Sequence, residues 1–296
     1  MSELRGWRRN QWGIPRLRGP RRRAPYFDLV VVGAVVLLLL VALLGPLFAP
    51  DVNESHILEA LQPPSGAHWF GTDQQGRDVF WRLIAGARVT IPAAILVVCV
   101  YGTIGSLVAG IAAFGPRWLD EALMRLTDVV LAFPSLVFAL AVAAALGPSL
   151  QSTIIALAVT GWPLTARLLR GTIRETTALP FVEGATALGV SRLRLMLVHV
   201  LPNSLPPLLI KWAADVGTTI LAIGGLSFIG AGAQPPSPEW GAMVSSAQGL
   251  VSSAWWAAFF PGLAIALTTT AFGLFGDLLH ARSDSSVKLP TRARRS

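Results

Sequence analysis

Few side chains in this chain are placed to do chemistry. Lys211 and Asp215 stand four residues apart in an otherwise apolar run, so on a helix they share a face and can neutralise each other. Ionisable residues within a membrane segment mark a solute or ion path by default. A lysine near one interface can instead extend its ammonium to water along its apolar stem. The two readings coincide if the pair lines an inner gate. A second group, Asp73, Arg77, Asp78 and Arg82, lies in a polar stretch rich in glycine and proline. These four can pair among themselves and fix a turn-rich cap, or touch a solute directly. Surface pairs are worth only ~0–1 kcal/mol each, so their value would be geometric. There is no phosphate loop of the form Gly-x-x-x-x-Gly-Lys-Ser/Thr, no His-Glu-x-x-His and no Gly-x-Ser-x-Gly. No catalytic residue, metal ligand set or bound cofactor is expected on this chain, and any ATP with its Mg must be handled by a separate subunit.

The elements that hold these residues are membrane spans. Of 296 residues, 53% are hydrophobic and 14% charged, against about 25% charged in soluble domains. Charges are missing altogether from 29–50, 89–116, 129–166 and 240–276. About 20 apolar residues cross ~30 Å of hydrocarbon, so the longer windows can hold two helices if broken, and Gly147-Pro148-Ser149 breaks one. The sequence predicts six spans, near 26–48, 90–114, 128–146, 150–168, 203–229 and 255–274. An external segment at 49–89 follows the first span. The five-helix core occupies 90–279, with a cytoplasmic loop at 171–200 and an external loop at 230–254. Basic ends, 1–25 and 280–296, flank the whole. Arg117, Asp120, Glu121 and Arg125 are expected in a short charged loop. Cys99 is alone in an apolar run and reads as a packed small hydrophobe.

The net charge of +8 could indicate nucleic acid, but the basic residues flank spans. Eight arginines precede the first span, whereas the proposed outer segments hold Arg77, Arg82 and Arg88. The positive-inside rule then puts both termini in the cytoplasm. Trp69, Trp81, Trp240, Trp255 and Trp256 fall near the proposed outer interface, as aromatic belts do.

The longest cytoplasmic loop contains Phe181-Val-Glu183-Gly184-Ala185-Thr186-Ala-Leu188-Gly189-Val190-Ser191, then His199-Val-Leu201-Pro202-Asn203. Gly189 permits a sharp bend, Ser191 suits a helix N-cap, and Pro202 begins the next span. A helix, glycine turn and second helix joined to a span make a lever. The stretch resembles the EAA loop of ABC importer permeases. Glu183, Ala185, Gly189, Leu201 and Pro202 match at that spacing, while Gly184 replaces an alanine and His199 an isoleucine. The resemblance implies that 181–191 docks in a groove of the ATPase, with Glu183 as polar anchor and Ala185, Leu188 and Val190 as apolar contacts.

Three more stretches carry the resemblance. Gly71-Thr72-Asp73-Gln-Gln-Gly76-Arg77-Asp78 looks like a signature that precedes the second span of peptide- and nickel-type permeases. Leu131-Ala-Phe133-Pro134-Ser-Leu136 resembles their Phe-Pro motif, which makes Phe133 and Pro134 pathway or gate candidates. Leu226-Ser-Phe-Ile-Gly230 through Gln234-Pro235-Pro236 and Glu239-Trp240-Gly241-Ala-Met243 resembles the run after their fifth span. The chain is thus identified as similar to C-type permeases of dipeptide, oligopeptide and nickel ABC importers. That implies an all-α, six-span, type I fold in a bacterial inner membrane, without nucleic-acid partners. The implied partners are a second permease chain, two ATPase subunits and an external substrate-binding protein. Peptides are the expected substrate, with glutathione or nickel complexes as alternatives. An ion-coupled carrier would need inverted repeats with buried charges, and a membrane enzyme a cluster of carboxylates or histidines; the sequence shows neither clearly.

Overall fold

The computed structural model describes residues 25–286, and its regular elements are helices. The first apolar run forms α1 (Pro25–Leu44), closed by a 3-10 turn at Gly45–Leu47 where Pro46 supplies no backbone donor. Most of its leucines remain exposed, as suits a helix facing lipid or a neighbouring chain. Helix α2 (Val79–Phe114) begins with a cap: the Asp78 carboxylate accepts from the Trp81 N–H at 3.1 Å. Its 36 residues span about 54 Å, longer than the ~30 Å hydrocarbon layer. The sequence starts this span at 90; the helix itself starts at Val79 and projects beyond the membrane.

The expected charged loop after α2 is helical. Gly115-Pro116 turns the chain into α3 (Arg117–Leu131), an amphipathic helix held along α5 (Leu150–Thr177) by charge pairs. Asp120 accepts from Arg170 and Arg174, and Asp128 pairs with Arg167. The third span is also not the single helix expected over 128–146. Helix α3 ends at Leu131, the chain bends by 86° through Ala132-Phe133-Pro134, and α4 (Ser135–Leu146) follows. Proline disfavours helical geometry in the residue before it, so Phe133 falls where the helix cannot continue. Ser149 caps α5 by accepting the Ser152 N–H at 3.0 Å.

Next come α6 (Pro180–Ala187), α7 (Arg192–Arg194), a π-helical turn at Leu195–Val200, α8 (Leu201–Ser204) and α9 (Pro206–Phe228). The loop between α9 and α11 contains α10 (Trp240–Ala247), and α11 (Trp256–Ser286) completes the order. The sequence begins the basic tail at 280, yet α11 runs on to Ser286. The basic arm before residue 25 and the tail beyond 286 lie outside the described residues.

Helix α2 packs chiefly on α5, and α9 on α11. The main core brings Ile91 and Val97 of α2 to Ile220 and Ile223 of α9 and Phe272 of α11. Close approach requires small residues. A Cβ at Gly102 would strike the Trp212 ring, and one at Gly217 would sit 2.6 Å from the Thr269 carbonyl oxygen.

Five helices are long and apolar enough to cross a membrane, and the bent α3–α4 pair makes a sixth if taken as one crossing. One ion pair supports six. Arg282, late in α11, lies 3.3 Å from Asp28 at the start of α1. The described ends therefore share a face, which requires an even number of crossings.

Candidate coupling and translocation site

The loop after α5 folds as the helix, glycine turn and second helix that the sequence expects of a lever. Pro180 opens α6 at a position where its missing N–H is harmless. Gly189 adopts φ +79°, and the N–H groups of Gly189 and Val190 return to the carbonyls of Thr186 and Ala185 at 3.0 and 3.2 Å. This left-handed closure is the one glycine favours at helix ends. Ser191 stands at the N-cap position of α7, but its side chain makes no cap bond; its carbonyl accepts the Leu195 N–H at 2.9 Å. Val182 anchors α6 in a second core with Leu169, Ile173, Leu195 and Met196. Ala185 and Val190 are partly buried against that same core. Exposed are Phe181 (44%), Leu188 (86%) and Glu183, along with Gly184, Thr186, Ala187 and Gly189. The Thr186 hydroxyl donates to the Val182 carbonyl, and nothing crowds Gly184. The chain then runs through the π turn and α8 into α9, with Ser204 of α8 bonded to Thr176 of α5 at 3.1 Å.

Lys211 and Asp215 form the predicted pair on α9. The Tyr101 hydroxyl of α2 donates to the same Asp215 Oδ2 at 2.6 Å, and Lys211 Nζ lies 5.8 Å from the Tyr101 ring centroid. The pair is partly buried, with side chains 25% and 18% exposed. Close by, Trp212 Nε1 and Thr165 Oγ1 are buried without a hydrogen-bond partner among the described residues.

The external group divides in two. Asp73 accepts from Arg77 Nε at 2.7 Å and faces Arg82 Nε at 3.6 Å. Arg82 is only 3% exposed and donates to the carbonyls of Val52 (2.8 Å) and Pro236 (3.2 Å). It thereby joins the segment between α1 and α2 to the loop before α10. This is a buried network, not the set of surface pairs the sequence predicts. Asp78 pairs with neither arginine; its carboxylate caps α2 and meets His68 Nδ1 at 2.9 Å. Trp256 Nε1 donates to the Thr72 carbonyl at 3.1 Å, and Trp240 Nε1 to that of Leu83 at 3.0 Å, so α10 and the start of α11 belong to the same cap.

Cap and lever occupy opposite ends of α2. Residues at its far end, Ala112 and Ala113, line a cavity with Arg192, Leu195 and Met196 next to the lever. Phe133 and Pro134 form the exposed α3–α4 break. Three residues escaped the sequence reading. Tyr101 gave no signal because its partner Asp215 is distant in sequence, and His68 gave none because Asp78 lies ten residues on through irregular turns, at no helix or strand spacing. Glu239 is fully buried; its carboxylate caps α10 by accepting the N–H groups of Gly241 and Ala242 at 2.9 and 2.8 Å. Its place just before Trp240-Gly241 was the available clue.

The chain is similar to known proteins. The family described as binding-protein-dependent transport system inner membrane component matches residues 102–289. A probable D,D-dipeptide transport system permease protein of Escherichia coli K12 is 44% identical over 244 residues, 82% of each chain. The dipeptide transport system permease protein of Alkalihalophilus pseudofirmus is 38% identical over 266 residues, covering 88% of this chain and 86% of that one. A glutathione transport system permease protein of Escherichia coli is 37% identical over 270 residues, 90% and 89% of the two chains. Among solved structures, an inward-facing methionine ABC transporter shares the fold with a TM-score of 0.57 at 16% identity, over 69% of this chain and 97% of that one. The chain belongs to the binding-protein-dependent transport system inner membrane components, and it is a permease subunit of an ABC importer.

Proposed function

We propose that this chain forms half of the translocation pathway for short peptides and takes its power from a separate ATPase through α6. The observation that carries this is the two-sided character of α6. Its Val182 face is locked to α5 and the π turn, while Phe181, Glu183 and Leu188 are left exposed. A partner gripping that face moves α9 through the Gly189 turn, α7, the π turn and α8, and α9 carries Lys211 and Asp215. Alternating access then follows from the partner's differential binding to two arrangements of the bundle. Lys211, Asp215, Phe133 and Pro134 act as gate elements, and the Asp73–Arg82 cap receives the external binding protein. ATP and Mg reside on the ATPase pair, and a second permease chain completes the pathway. Both termini face the cytoplasm, a reading supported by the arginine distribution and the Asp28–Arg282 pair. The peptide substrate rests on the relatives named for dipeptides and glutathione.

The test is purification of the complex in mild detergent from wild type and from Glu183→Arg and Gly189→Trp variants. An ATPase that accompanies wild type and leaves both variants is the expected result. A well-folded wild type that never retains an ATPase would sink the proposal.

A further inference from the structure

At the end of the bundle that carries α6, a cavity of about 600 Å³ opens between the last turn of α2, the first turn of α3, the end of α5, and α7. Ala113, Ile173 and Met196 make its floor apolar. Arg117, Arg174 and Arg192, from three different helices, bring guanidinium groups to its rim. The one acid lining it, Asp120, is already saturated, accepting from Arg170 and, at 2.6 Å, from Arg174. Glu121 matches Arg117 at 2.9 Å, while Arg192 makes no ion pair among the described residues. One carboxylate between two arginines, together with a free Arg192, leaves a net positive rim. Arg117 and Arg174 are 91% and 61% exposed, so their heads reach the aqueous side while the floor continues into the packed spans.

A small soluble anion has no use for that floor. A charged headgroup attached to an acyl chain matches both parts. We propose that this cavity binds the phosphate of an anionic phospholipid of the inner leaflet, with its glycerol and upper acyl segments on the apolar floor. Basic pockets between spans on the cytoplasmic side are suited to such headgroups, and guanidinium forks suit phosphate oxygens. The proposal rests on the reading that places α6 in the cytoplasm. The cavity shares Thr177, Ala178 and Leu195 with a neighbouring one of about 530 Å³ behind α6. A lipid seated there therefore braces the lever.

The test uses the full chain in nanodiscs of phosphatidylcholine containing phosphatidylglycerol, with retained lipid counted by native mass spectrometry. Wild type is compared with Arg117→Gln/Arg192→Gln, with Arg117→Lys/Arg192→Lys, and with Arg88→Gln at the opposite end. Expected is a several-fold loss of retained phosphatidylglycerol in the glutamine variant, partial recovery in the lysine variant, and none lost from Arg88→Gln. All should keep the wild-type melting temperature in nanodiscs of phosphatidylcholine alone, where the anionic lipid cannot add stability. Equal retention by wild type and the glutamine variant overturns the proposal. So does displacement of the lipid by millimolar inorganic phosphate, which would assign the site to a free anion. ATPase co-purification is read on the same variants: ATPase retained with no selective lipid defeats the lipid site alone, and the reverse defeats the coupling reading alone.

Discussion

The Tyr101 hydroxyl and the Asp215 carboxylate meet at 2.6 Å, joining α2 to α9 at the carboxylate that also takes the Lys211 ammonium. Two donors from two helices thus converge on one partly buried acid. Removing one member of such a set leaves a charge without its counterpart, whereas removing both charges together leaves none.

Lys211→Met is therefore expected to lower stability by about 1–3 kcal/mol, and Lys211→Met/Asp215→Asn by less than the single change. Thermal melting of the detergent-solubilised chain reads the difference. A double variant weaker than Lys211→Met would show that the pair is not electrostatically coupled.

Gly184 and Gly189 are expected to respond in opposite directions. A Cβ at Gly184 meets nothing within 4 Å, so Gly184→Ala should stabilise α6 by about 0.5–1 kcal/mol. At Gly189 the backbone holds φ +79°, where Gly189→Ala introduces strain of roughly 1–2 kcal/mol. ATPase activity of the reconstituted complex, measured with melting temperature, should fall only for Gly189→Ala.

Arg82→Ala should loosen the outer cap. The change removes donors to Val52 and Pro236 from a buried position, with an expected loss of about 2–4 kcal/mol. Arg82→Lys keeps the charge but not the planar fork, and should recover only part. Protease cleavage within 49–78 or 230–238, followed on membrane vesicles of defined sidedness, checks both. Unchanged cleavage in Arg82→Ala would remove the bridging role.

Gly217→Ala should separate α9 from α11, since its Cβ would sit 2.6 Å from the Thr269 carbonyl oxygen. Overpacking of this kind destabilises by about 1–3 kcal/mol. A melting temperature equal to wild type would mean the contact is relieved by a small helix shift.

The helix, glycine turn and second helix after α5 were legible in the sequence because their determinants are local. Pro180, Gly189 and the spacing from Glu183 to Pro202 act within a few turns of one another. The Lys211–Asp215 pair was legible for the same reason, through i, i+4 spacing on α9. Tyr101 was not, because its partner lies on another helix far along the chain. The α3 helix was misread as a loop since its charges look solvated in sequence, although Asp120 is buried by Arg170 and Arg174 of α5. Uncharged residues across 129–146 concealed the break at Phe133-Pro134, where backbone geometry overrides hydropathy. Asp78 was grouped with the arginines by proximity, yet its capping role turned it toward Trp81 and His68.

The Asp28–Arg282 pair also bears on how such chains can be combined. Because the first and last helices end side by side on one face, two copies can be fused tail to head through a soluble linker with no additional hydrophobic segment. Each half keeps its own insertion direction. A single polypeptide carrying two such chains is therefore one linker away from two separate ones.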